Sequence, residues 1–178
     1  DRLPARPAGD VPPVAARSRT AIRADLAGGP RPLSPSLERL PGVQSALDSN
    51  TTALAFDAKF GRLPSVLELL KVPRESQVLV FSKTSLQIQH ISPGNPRAIY
   101  FNDDTYVGSV PNGDLIEVST ADPQLGAMFY TVSQRQTERA GFVRQTDNCL
   151  QCHGSSLTHS IPGHLVRSVF ADENGYPI

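Results

Sequence analysis

The chain has two cysteines, three residues apart in Cys149-Leu150-Gln151-Cys152-His153-Gly154. On a helical turn, residues at i and i+3 project from one side. Cys149 and Cys152 can then each bond a vinyl carbon of one porphyrin, and their spacing is that of covalent haem attachment. His153 follows directly, placed to lie beneath the iron and offer its imidazole as the proximal ligand. The cofactor these residues predict is one covalent haem c. Two plainer readings compete. A redox dithiol usually opens a helix in a βαβ context, whereas residues 137–148 are polar and loop-like. Structural zinc takes four ligands, usually with more than one cysteine pair, and with no second pair histidines would have to complete the set.

Four side chains compete for the sixth position of such an iron. His159 is six residues from His153, a path of at most about 20 Å, nearly all of it needed to round the macrocycle. His164 is eleven residues away and begins a predicted strand, where a hydrogen bond would fix its tautomer. His90 shares a predicted face with Leu86 and Ile88, and Met128 is the one methionine. A lone histidine on an apolar face is more often a satisfied core residue than a ligand. Reach and position favour His164, so His153 and His164 are the predicted metal ligands, with His90, Met128, His159 or a residue beyond 178 as alternatives. Arg167, Arg144 and Arg97 could pair with haem propionates as bidentate donors, and Arg167 joins the predicted cofactor-binding set.

Other chemistry finds little support. Asp103 and Asp104 would point to opposite faces of a strand, and a turn is the simpler account. The sequence has no Gly-rich phosphate loop, no Gly-x-Ser-x-Gly elbow and no metal-binding His-Glu pattern. Peroxidase chemistry would need a distal acid–base pair, and none is recognisable. The residues favour electron transfer over catalysis.

The elements that must position the motif read as α+β. Residues 64–71 predict a two-turn helix with Leu63, Val66, Leu67 and Leu70 on one stripe and Pro73 ending it. Shorter helical turns are predicted at 36–40 and 43–48. From residue 77 the pattern changes to strands: a buried run at 77–81, alternation at 86–91, then 97–101, 105–110, 115–119 and 127–132, and a last strand at 165–170. Asn112-Gly113 is a strong hairpin signal. Short spacings and tight turns predict an antiparallel sheet of about five to six strands with short helices and the attached haem. The Asn174-Gly175 turn calls for a returning strand where three residues remain, so the natural chain is expected to run past Ile178.

Composition sets the outer limits. With 178 residues, 39% hydrophobic content and zero formal net charge, the chain is long enough for one core and gives no electrostatic case for nucleic acid. No stretch reaches the length of a membrane span. Residues 1–33 are rich in Pro, Arg and Ala, and residues 1–32 hold no aromatic. Such a segment suits an extended arm that docks on other redox subunits, with residues 34–178 as the haem-binding domain. Any membrane association would then come through partners. Haem c is normally attached outside the cytoplasm, and a chain starting at Asp1 suits export, so a periplasmic or extracellular location is expected.

Phe81-Ser82-Lys83-Thr84-Ser85-Leu86-Gln87 and Pro96-Arg97-Ala98-Ile99-Tyr100-Phe101-Asn102-Asp103-Asp104 resemble a poorly characterised family of exported bacterial proteins with one Cys-x-x-Cys-His motif. So do the runs Asp122 to Tyr130 and Pro162 to Val169, and the likeness covers roughly residues 77 to 178. It implies haem c and a chain that continues past this end. A weaker likeness, resting on element order, is to haem-c-binding PAS-like sensor domains. The leading expectation is a single-haem c-type electron-transfer subunit of a larger redox assembly. The alternatives are a haem-based sensor or ligand-binding module, and a mainly structural haem-bearing subunit.

Overall fold

The computed structural model describes residues 53–122, 125–136, 140–165 and 168–178. The expected arm at 1–33 and the helical turns at 36–40 and 43–48 lie outside these residues, as does Arg167. The described architecture is a six-stranded antiparallel sheet with a few short helices, as the α+β pattern predicts.

The first helix, α1 (Leu63–Leu70), starts with Pro64 in its first turn and ends at Lys71, whose φ of 54° breaks the helical run. Its buried stripe is Leu63, Val66, Leu67 and Leu70, the four residues that the 3.6-residue period marks. Each such side chain contributes about 1.5–3 kcal/mol when buried, and this stripe docks the helix on the sheet. Six strands follow in order: β1 (Val78–Val80), β2 (Arg97–Phe101), β3 (Thr105–Ser109), β4 (Leu115–Asp122), β5 (Gly126–Ser133) and β6 (Val143–Gln145). Every strand pairs antiparallel with its neighbour in the chain, giving the spatial order β1-β2-β3-β4-β5-β6.

Turn chemistry fixes the hairpins. Asn102 Oδ1 accepts from the backbone N–H of Asp104 and Thr105 at 3.2 and 2.9 Å, so Asp103 and Asp104 do belong to a turn. Asn112 takes a φ of 60° between β3 and β4, the left-handed conformation that asparagine tolerates. Side chains alternate across each strand. One face of the sheet carries Tyr100, Val107, Ile116, Val118 and Val132 into the core with α1, Leu54, Val72 and Phe142. The other face presents Tyr106, Ser119 and Phe129, which stand in adjacent register, Tyr106 opposite Ser119 and Ser119 opposite Phe129.

Four local expectations are corrected. The run 77–81 does hold a strand, β1, but an edge strand rather than a buried one: Val78 and Leu79 are 46% and 60% exposed, and Phe81 just beyond it 49%. Residues 86–91 form a 3-10 turn, Ile88–His90, instead of a strand. Gln87 explains this. Its buried side-chain amide accepts from Leu115 N and donates to Leu115 O, both at 3.0 Å, occupying the place a pairing backbone would take. β6 lies in a stretch that reads as loop; it exists because Phe129, Tyr130 and Thr131 offer it a ladder. At 165–170 the described residues Leu165, Ser168, Val169 and Phe170 are not in a strand. The Gly175 turn closes on a single bridge, Ala171 opposite Pro177.

Candidate functional site

The cysteine motif forms one turn of helix, α2 (Leu150–His153), with Cys149 at its N-cap. The N–H of His153 donates to Cys149 O at 3.0 Å, and that of Gly154 to Leu150 O at 2.9 Å. This turn places the i and i+3 sulfurs on one side. Both thiols are free, Cys149 half-buried and Cys152 exposed. Burial, then the nearby Glu117 and Cys152, pushes the Cys149 thiol up to about 11.

After α2 the chain reverses. Ser155 caps a 3-10 turn, Ser156–Thr158, by accepting from Leu157 N. His159 and Ser160 then take φ values of 54° and 60°, which swings the chain back toward the sheet. Gly163 and His153 clasp each other: Gly163 N donates to His153 O at 2.9 Å, and His153 Nδ1 lies 2.9 Å from Gly163 O. A carbonyl only accepts, so Nδ1 carries the proton, and in the neutral form of the ring Nε2 is the nitrogen with the lone pair. Thr158 Oγ1 adds a second donor to His153 O at 3.2 Å.

The returning segment is held to β5 where β6 stops. Ala127 N donates to Pro162 O at 2.8 Å. Gly126 permits this approach, with a φ of 78° and the Pro162 carbonyl standing where a Cβ would be. The next residues bring His164 onto the open face of the sheet, where its Nε2 lies 2.9 Å from Ser119 Oγ. Its ring centroid is 4.8 Å from Tyr106 and 6.1 Å from Phe129. Phe129 also packs on His153 at 4.7 Å. Burial, and next His153, hold His164 below the ordinary imidazole range, so its neutral form is favoured.

Phe129 thus joins the two histidines that sequence reasoning selected. Met128 is the neighbour of Phe129 on β5, and strand alternation turns its side chain to the opposite face. His90 is elsewhere: its Nε2 is 3.8 Å from Asp114 Oδ2, and Ser119 lies about 16 Å further along the strand. His159 is exposed at the turn apex. Of the candidate arginines, Arg97 is paired with Glu117 at 3.3 Å, both partly buried. Arg144 is exposed on β6 and lines a shallow open depression with Leu125, Ala127, Phe129, Leu150 and Pro162. Among the described residues, no three His, Cys, Asp or Glu side chains converge as a metal-ligand group, and no helix is long and apolar enough to cross a membrane.

Ser119, Tyr106, Phe129 and Gly163 do not stand out in the sequence. Alternation puts Ser119 and Phe129 on definite faces of their strands, but the register that sets Tyr106, Ser119 and Phe129 side by side is a long-range fact. Compared with protein-family models, curated proteins and solved structures, the chain has no match.

Proposed function

We propose that residues 149–153 carry one covalent haem c and that the protein exchanges single electrons as a subunit among other redox proteins outside the cytoplasm. The observation that carries this reading is the His153–Gly163 clasp. A ring nitrogen protonated and bound to a carbonyl is the usual outer-shell arrangement of a ligating histidine, because it fixes orientation and raises the basicity of the other nitrogen. In this reading Cys149 and Cys152 hold the group through thioethers and His153 Nε2 is its proximal ligand. Leu125, Leu157 and Ile161, each more than half exposed, suit contact with an apolar macrocycle. A haem held this way supplies a one-electron couple whose potential follows axial ligation, burial and hydrogen bonding. Phe129 and the Gly163 carbonyl keep the His153 ring from turning, so the ligand needs little rearrangement when the charge changes. Glu117 and Arg97, paired beside this face, offer fixed charges that bias the potential.

The test is expression with a haem c maturation system, followed by intact mass and a dithionite-reduced spectrum. One added haem per chain and a c-type alpha band are expected, both lost in Cys149→Ser/Cys152→Ser. Unmodified thiols and a featureless spectrum would refute the proposal.

A second reading, a small-ligand sensor or binding module, draws support from one contact. His164, the sixth ligand expected from sequence, has its Nε2 engaged with Ser119. Carbon monoxide added to the ferrous protein separates the two readings. Prompt spectral change favours ligand binding, and an unreactive low-spin spectrum favours electron transfer alone.

A further inference from the structure

His164 has two places it could serve. It stands in the aromatic cluster of the proximal histidine, yet it is bonded away from it. Its ring is confined by Tyr106 on β3 and Phe129 on β5, and its Nε2 is tied to Ser119 on β4, the strand between them. His164 Nδ1 makes no hydrogen bond among the described residues, so the Ser119 hydroxyl is the polar contact that sets the ring's orientation. Ser119 belongs to the longest strand pair, β4 with β5, and that ladder fixes its backbone. Gly163, one residue earlier, is fixed by its double clasp on His153. The chain is therefore held at Gly163 and at the His164 ring, and a turn of the imidazole requires release of the hydroxyl.

We infer that Ser119 is a positioning residue that holds His164 Nε2 out of iron coordination, leaving the sixth position to a small neutral ligand of the carbon monoxide or nitric oxide class. This rests on the haem reading above in its second, ligand-binding form, and adds to it the residue that governs the second axial site. The hydroxyl acts through its contact with His164.

The experiment uses the haem-loaded protein in wild-type, Ser119→Ala, Ser119→Thr and His164→Ala forms, each first assayed for bound haem as the pyridine haemochrome. Ferric spin state is then read by electron paramagnetic resonance, and carbon monoxide association by flow mixing with the ferrous protein. Wild type is expected to be high-spin and to bind carbon monoxide promptly. One net hydrogen bond is worth about a fivefold change in an equilibrium, so Ser119→Ala should raise the His164-ligated, low-spin fraction about fivefold and slow carbon monoxide association to match. Ser119→Thr keeps the hydroxyl and should behave as wild type, while His164→Ala stays high-spin. A low-spin wild type overturns the inference, whether His164→Ala abolishes that spectrum or leaves it unchanged. So does a Ser119→Ala protein indistinguishable from wild type. Absence of a haemochrome in wild type defeats the haem reading and this inference together, whereas a normal haemochrome with any of the contrary spectra defeats the inference alone.

Discussion

Replacing Gly126 by alanine tests whether Pro162 is the point at which the motif segment is held to the sheet. Gly126 has a φ of 78°, and a residue with a Cβ pays about 1–2 kcal/mol for that left-handed conformation. The added methyl would also meet the Pro162 carbonyl oxygen directly. That carbonyl must withdraw, and with it goes the 2.8 Å hydrogen bond from Ala127 N, a net loss of about 1 kcal/mol. The expected destabilisation is therefore about 2–3 kcal/mol. A domain stable by about 5–15 kcal/mol still folds after such a loss. Urea denaturation measures it, with Gly163→Ala as the internal control. A Cβ there meets Ile161 O at 3.6 Å and Thr158 side-chain atoms at 3.7 Å, ordinary contacts, so the change should stay within about 0.5 kcal/mol. Nitrogen shifts of the His153 ring should move in Gly126→Ala, because Pro162 precedes the residue whose carbonyl binds that ring. A loss below about 1 kcal/mol in Gly126→Ala, or equal losses in the two variants, would refute the argument.

Three other outcomes follow from the same contacts. Gln87→Ala should cost about 2–3 kcal/mol in a urea titration, because both backbone groups of Leu115 lose their buried partner; a change under about 0.5 kcal/mol would show that water replaces the amide. In a double-mutant cycle between Arg97→Met and Glu117→Gln, the coupling should reach about 1–3 kcal/mol, since the pair is largely buried and Glu117 Oε1 also accepts from Leu86 N at 2.9 Å; additivity would contradict this. Iodoacetamide at pH 8 should modify the exposed Cys152, with Cys149 following only as the pH climbs toward 11. The sign is that of a raised acid: burial favours the thiol, so the stability linked to Cys149 is complete below pH 9 and is lost as the pH rises toward 11. Peptide mapping across pH checks the order of labelling.

Local signals carried the sequence reading a definite distance. The stripe Leu63, Val66, Leu67 and Leu70 is a property of one helix, and it emerges intact as the buried face of α1. Alternation and turn residues likewise delimit β2 to β5, since Asn102 and Asn112 bond or bend within a few residues of themselves. Position within the sheet is another matter. The run 77–81 looks buried because it is apolar, yet its exposure depends on whether a second strand lies beside it. The alternation at 86–91 fails because the Gln87 side chain, not its backbone, meets β4. β6 is too short and too polar to signal itself; its ladder is set by β5. For the candidate site, the sulfur spacing and the adjacent imidazole are readable because they are local. Ser119, Tyr106 and Phe129 were not, because a register across three strands brings them to His164.

A sheet built solely from pairings between consecutive strands needs no long loop closure, and topologies of this low contact order assemble quickly. The ties from the motif region come from much further along the chain, with Ser119 and His164 separated by 45 positions. Loop-closure entropy places these contacts after the hairpins. The open face formed by β3, β4 and β5 is thus a ready platform while the segment bearing the two sulfurs is still undocked. A thiol reagent that reaches those sulfurs at that stage meets an accessible peptide, and one that arrives later meets a half-buried Cys149.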